Sequence, residues 1–195
     1  MKRYIALAAL LTSFATTFAA EAGTSMTTTG SAFAPPAFYP FCSSNPRLCS
    51  TKGGQKVIDL APERKAELQQ VNRSVNSRVS ERSDMSTVGK EDDWRMAGAT
   101  GDCEDIAILK KHELMKRGWP ASALLITVAR YRGDGHTVLT VRTSEGDLIL
   151  DNLTSSVRDW SNTPYKYFAR QAQGNGGRWE RIGGAKPVPE TAARR

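Results

Sequence analysis

Three side chains in this sequence have the types and the order that nucleophilic acyl chemistry needs: Cys103, His136 and Asp151. The chain carries three cysteines. Cys42 and Cys49 lie close together in a Pro-rich stretch and can pair with each other. Cys103 is then a lone thiol, in the run Gly101-Asp102-Cys103-Glu104-Asp105. In such chemistry a thiolate attacks carbon, an imidazole takes and returns the proton, and a carboxylate fixes the imidazole tautomer. The alternative for Cys103 is a small buried hydrophobe, a common fate of free cysteines. Its place at the start of a helical pattern sets it in the positive field of the peptide dipoles, which favours thiolate. Asp102, Glu104 and Asp105 work against that, so a protonated His or a bound cation has to outweigh them.

The chain has only two histidines. His112 follows Cys103 by nine residues, which at 3.6 residues per turn turns it to the opposite side of the same helix. His136 is therefore the candidate base. It opens a strand-like run over 136–142, after Gly133-Asp134-Gly135. A second run covers 147–151, and Ser144-Glu145-Gly146 supplies turn chemistry between them, so a hairpin brings Asp151 back toward His136. A tight two-residue turn leaves the two residues out of register. The pairing is thus expected to need a longer loop or a bulge. The backbone N–H of Cys103 is then a candidate oxyanion donor.

The elements that must hold these residues are legible in outline. Residues 62–80 read as an amphipathic helix, with Pro62 and Glu63 in its first turn and Leu68, Val71, Val75 and Val79 as its apolar stripe. Asn72 and Asn76 flank the stripe, either facing water or bonding a neighbouring loop. Residues 84–101 show little periodicity and read as a loop, in which Trp94 is either the wall of a cleft or an anchor for the connection. A second helix spans 103–117, with Asp102 as N-cap and Asp105 in a capping-box-like place. Its apolar content exceeds a single stripe, so it is expected to be central. Leu124–Tyr131 is apolar and β-rich.

The N-terminus reads as a secretory signal peptide over 1–22: Lys2 and Arg3, a short apolar run to Phe18, then small residues for cleavage. Residues 23–36 read as a flexible leader, 37–50 as an irregular segment pinned by Cys42 and Cys49, and 183–195 as a disordered tail. One domain, 37–182, remains. Export makes a disulfide chemically reasonable. No later segment is long and apolar enough for a bilayer, so no integral membrane segment survives signal cleavage. The formal charge is +7. Removing Lys2, Arg3 and Glu21 lowers it to about +6, which favours acidic partners such as anionic lipid heads, cell-wall polymers or acidic proteins. Nucleic acid is not an expected partner of an exported chain. The mixed basic and aromatic residues from Arg158 to Arg170 read as packing plus a solvated face.

Gly101-Asp102-Cys103-Glu104-Asp105, Gly135-His136-Thr137-Val138-Leu139 and Leu150-Asp151-Asn152-Leu153 together resemble the bacterial transglutaminase-like cysteine peptidases, whose best understood branch is the periplasmic LapG-like adhesin-processing proteases. Phe41-Cys42, the Val71-Asn72 to Val75-Asn76 helix, Asp93-Trp94 and Arg170-Gln171 extend the likeness over roughly 37–182. The resemblance implies an α+β fold with a papain/transglutaminase-like core, a Cys-bearing helix packed on an antiparallel β-sheet that carries His and Asp. It implies Cys103 as nucleophile, His136 as base and acid, and Asp151 as orienting acid. It also implies calcium at Asp102 and Glu104, the two acids flanking the Cys, and no other cofactor. Helix capping by Asp102 is compatible with that. The implied protein is a periplasmic endopeptidase acting on a protein at the cell envelope, such as a surface adhesin. The Phe41-Cys42 to Leu48-Cys49 segment and the compact Cys-to-Asp region depart from the LapG branch. An acyltransferase of transglutaminase or amidase type on the same core, and a non-catalytic binding module, are the competing functions.

Overall fold

The computed structural model describes residues 23–90 and 92–187. The signal peptide expected over 1–22 lies outside the described residues, as does the stretch 188–195. Alternating apolar residues build the main body, a seven-stranded antiparallel sheet in the order β1-β9-β8-β4-β5-β6-β7. Its strands are β1 (Thr24–Ala32), β4 (Leu124–Tyr131), β5 (Asp134–Thr143), β6 (Gly146–Leu150), β7 (Arg158–Asp159), β8 (Lys166–Ala172) and β9 (Asn175–Pro187). Two short strands, β2 (Ser80–Glu81) and β3 (Thr100–Gly101), pair separately.

Two tight hairpins set the register of the central strands. In the β4–β5 turn, Tyr131 pairs with Asp134 across Arg132 and Gly133, both with positive φ, as a type I′ turn requires. In the β5–β6 turn, Thr143 pairs with Gly146 across Ser144 and Glu145. One face of the sheet carries Leu139, Val141, Leu150, Ile126 and Ala169 against two helices, α3 (Pro62–Arg78) and α5 (Cys103–Lys116). Helix α3 contributes the expected stripe of Leu68, Val71 and Val75, all fully buried, each worth about 1.5–3 kcal/mol of apolar transfer. Leu68→Ala would open a cavity beneath α3. The ion pair Arg78–Glu113 and the hydrogen bond from Arg117 to Gln70 run α3 antiparallel to α5. No helix among the described residues is long and apolar enough to cross a membrane.

Several expectations are corrected. Residues 23–36 are not a flexible leader, because β1 pairs with β9 from Thr24↔Pro187 to Ala32↔Trp179. For the same reason 183–187 belongs to the sheet rather than to a tail. The sheet then curls until β1 meets the far edge, where Asp147 accepts from the Met26 N–H (2.8 Å) and Asp159 from the Thr24 N–H (2.8 Å). The folded unit therefore exceeds the expected 37–182. Residues 37–50 are not irregular but form α1 (Phe38–Ser44) and α2 (Pro46–Cys49), joined by the Cys42–Cys49 disulfide. Residues 84–101 include one further helical turn, α4 (Asp84–Thr87).

Candidate active site

The lone thiol sits at the first residue of α5, in the gap between that helix and β5. Its Sγ accepts a hydrogen bond from the Thr137 N–H (3.3 Å) and donates one to Glu104 Oε2 (3.2 Å). The first contact places sulfur one residue from His136. Burial, then the charge of Glu104, hold the thiol above its ordinary range, against the Thr137 N–H, which favours thiolate.

His136 and Asp151 meet without the loop or bulge that the sequence calls for. The tight β5–β6 turn pairs Leu139 with Leu150, so Asp151 follows on opposite Val138, two residues from His136. That is a diagonal cross-strand pair, within reach of side chains of this length. Nε2 of His136 lies 3.0 Å from Asp151 Oδ1, and both residues are buried. With Nε2 engaged, Nδ1 is the free ring nitrogen; among the described residues no hydrogen bond joins it to Cys103 Sγ, whose partners are the Thr137 N–H and Glu104.

Four groups besides His136 hold Asp151. Its Oδ1 also accepts from the Leu153 N–H (3.1 Å), and its Oδ2 accepts from the Tyr165 hydroxyl. Its backbone N–H donates to Asn72 Oδ1 (3.1 Å), and its carbonyl accepts from Asn76 Nδ2 (2.8 Å). The flanking asparagines thus bond the 151–154 loop. Burial raises the pKa of Asp151, but the hydrogen bonds from His136 and Tyr165 outweigh it, so the carboxyl lies below its ordinary value. Burial, and then the hydrogen bond to Asp151, push the Tyr165 phenol up, which keeps it a donor. Tyr165 also packs on the imidazole, with ring centroids 4.8 Å apart, and meets Tyr131 edge-on. Tyr165 thus does more than the packing expected of it, since a Tyr among other aromatics carries no signal of its target in the sequence.

The acids around Cys103 do not play the capping roles their spacing predicts. Asp102 occupies the N-cap with extended backbone but makes no side-chain cap bond. Its Oδ2 accepts instead from the Asp84 N–H (3.2 Å). Asp105 accepts from the Arg95 N–H (2.9 Å) and pairs with the Arg95 guanidinium (3.2 Å). Tertiary partners offer these carboxylates more than the helix end does. Asp84, unforeseen because it lies in α4 far from Cys103 in sequence, joins Asp102 and Glu104, with ligand oxygens all within 4.8 Å of one another. Arg95 pairs with Asp84 (3.0 Å), yet Asp102 Oδ1 is buried with no hydrogen-bond partner. Burial, then Asp102, push Glu104 up to about 8, and burial, then Asp84, push Asp102 up. Such a set of hard oxygen donors, short of positive charge, fits a calcium-class cation.

Trp94 is buried and packs edge-on against Phe38 and Trp179, with centroids 5.5 and 6.5 Å away. The hollow it borders, with Phe41 and Asp92, does not include Cys103 among its lining residues. Its packing is that of an anchor for the 84–101 connection.

Residues 28–187 match the model of a family described as bacterial transglutaminase-like cysteine proteinase. No curated protein matches the chain. Among solved structures it is similar to Legionella pneumophila LapG, at 26% identity and a TM-score of 0.49, covering 76% of this chain and 81% of that one. It is also similar to the calcium-bound form of that protein, at 25% identity and a TM-score of 0.47, covering 71% and 77%. The chain therefore belongs to the bacterial transglutaminase-like cysteine proteinases, and is a cysteine peptidase of transglutaminase-like α+β fold.

Proposed function

We propose that the protein is an exported, periplasmic endopeptidase that cuts a protein of the cell envelope, such as a surface adhesin, through Cys103, His136 and Asp151. The observation that carries this reading is the start of β5, where the Thr137 N–H holds the sulfur and the adjacent His136 is fixed through Nε2 by Asp151. His136 Nδ1 takes the thiol proton as Sγ turns from Glu104 and bonds to the scissile carbonyl carbon. The Cys103 N–H, free at the start of α5, faces the developing oxyanion. His136 then returns the proton to the leaving amine, which departs as the C–N bond breaks and leaves a thioester. Water, deprotonated by the same imidazole, releases the new carboxylate and restores the thiol. Asp151 fixes the tautomer with the proton on Nε2 and stabilises the imidazolium.

Asp84, Asp102 and Glu104 are the residues that would hold calcium. When bound, the ion supplies positive charge beside a thiol otherwise crowded by carboxylates. The chain's own share is to gather these oxygens from α4 and the start of α5.

Comparing new N-termini in exported proteins treated with the wild-type chain or with Cys103→Ser tests the reading. Cleavages appear only with the wild type, and a calcium chelator reduces them and lowers the melting temperature, since a ligand at 100 times its Kd adds about 2.7 kcal/mol. Identical termini with both chains contradict the peptidase assignment. An unmoved melting temperature contradicts the calcium site.

A further inference from the structure

We propose that the floor of the sheet beyond Cys103 is a substrate subsite for an acidic residue, formed by Arg130, Lys166 and Phe168 and set about three residues from the bond that is cut. This rests on the peptidase reading above and names the chemistry of its substrate.

The placement follows from strand register. Thr137, whose N–H touches Sγ, pairs with Val128, and two residues on Gly135 pairs with Arg130. Arg130 in turn pairs with Lys166 of β8. Side chains alternate along a strand, so Arg130 shares the face of Val128, which packs against the main core under α5. Lys166 shares that face with its partner. Both are exposed. β4 is an interior strand, between β8 and β5, so Arg130 reaches water because nothing covers that end of its face. Gly135 lies between these cations and Cys103. A Cβ there would meet nothing within 4 Å, so the floor is open where a peptide backbone would cross.

Phe168 is the third part. The β4–β8 register shifts between Val128 and Ala129, pairing them with Ala169 and Tyr167, so Phe168 is the extra residue of a bulge. Its ring is half exposed, and the Arg130 guanidinium lies 5.6 Å from its centroid. Such stacking fixes the plane of the guanidinium and leaves its N–H fork free for a carboxylate. Neither Arg130 nor Lys166 forms an ion pair among the described residues. From Thr137 to Arg130 the sheet advances about 7 Å along the strand and about 5 Å across, and side-chain reach adds a few more. An extended peptide gains about 3.3 Å per residue, which gives roughly three residues from the scissile bond. An acid at the scissile bond itself would meet Glu104 instead, so the preference is confined to the distant position.

A peptide library digested from a whole proteome tests this. Peptides cut by the wild-type chain carry Asp or Glu about three residues from the cut at least threefold above the library frequency. In R130E/K166E the enrichment passes to Lys and Arg, and in the milder R130Q/K166Q it fades. The same library is passed over immobilised Cys103→Ser chain, with and without the charge reversal, and the retained peptides are sequenced. Cleavage without acidic preference, or a preference that charge reversal leaves unmoved, overturns the subsite. Acidic peptides retained by Cys103→Ser, released by charge reversal, yet never cut by the wild type, keep the subsite and overturn the peptidase. Neither cutting nor selective retention overturns both.

Discussion

At Asp151 one carboxylate serves His136, Tyr165 and the Leu153 N–H together. The Tyr165 bond is the one whose removal leaves both the proposed nucleophile and the proposed base intact, which makes Tyr165 a positioning residue. Tyr165→Phe keeps the ring against the imidazole and loses only the hydroxyl. It lowers kcat by about 3- to 10-fold, equivalent to roughly 1 kcal/mol, with KM unchanged. A fall in melting temperature with kcat unmoved would make its role structural only. The lone thiol and the single suitable His were legible because few residues of those types compete in this chain. Asp84 and Tyr165 were not, because carboxylates and aromatics are common and only tertiary closure gives them a target. The capping roles of Asp102 and Asp105 failed for a related reason: spacing sees the helix end but not Asp84 of α4 or Arg95 of the connection that follows it.

At the scale of elements, α5 is as central as its apolar excess foretold, yet it also buries two adjacent lysines. Lys111 Nζ donates to Gln171 Oε1 (3.1 Å), and Gln171 in turn ties β4, α2 and β9 through Ile126 N–H, Cys49 O and Gly176 O. Lys110 Nζ is buried with no hydrogen-bond partner and feels the charge of Asp151. Burial pushes both ammonium groups down to about 7. Unfolded, each returns to about 10.4. Between those values the unfolded chain binds the proton and the folded one does not, so stability rises as pH increases from about 7 to 10. Below about 7 both states are charged and the slope ends. Lys111→Met removes its share, up to about 1.4 kcal/mol per pH unit, in denaturant titrations run across that window. A slope unchanged by the substitution would mean that Lys111 is charged and solvated in the folded chain. The helices and hairpins themselves were readable from period and turn chemistry. No bulge is needed at the β5–β6 turn, because His136 and Asp151 meet as a diagonal rather than a directly opposite pair.

The whole molecule is closed by a strand that composition disguises. Thr24–Ala32 is rich in Thr, Ser and Gly, as linkers are, but its one large apolar residue, Met26, is buried and its N–H binds Asp147. Asp147 also pairs with Arg142 and Arg170, so losing β1 disturbs a buried ionic network. A chain starting at residue 33 melts about 5–15 °C below one starting at residue 23, from the lost Met26 burial and the charge-assisted hydrogen bond. Equal melting temperatures would restore the leader. This closure matters because the curled sheet carries β5, where Thr137 meets Cys103 and His136 meets Asp151, and on which the proposed convergence of sulfur, imidazole and carboxylate depends. That convergence is tested by the rate at which iodoacetamide alkylates Cys103 near neutral pH in saturating calcium, with the modified residue identified by mass spectrometry. Cys103 in the wild-type chain reacts faster than free cysteine, and His136→Ala slows it at least about tenfold. Equal rates in the two chains, both at or below that of free cysteine, would contradict it.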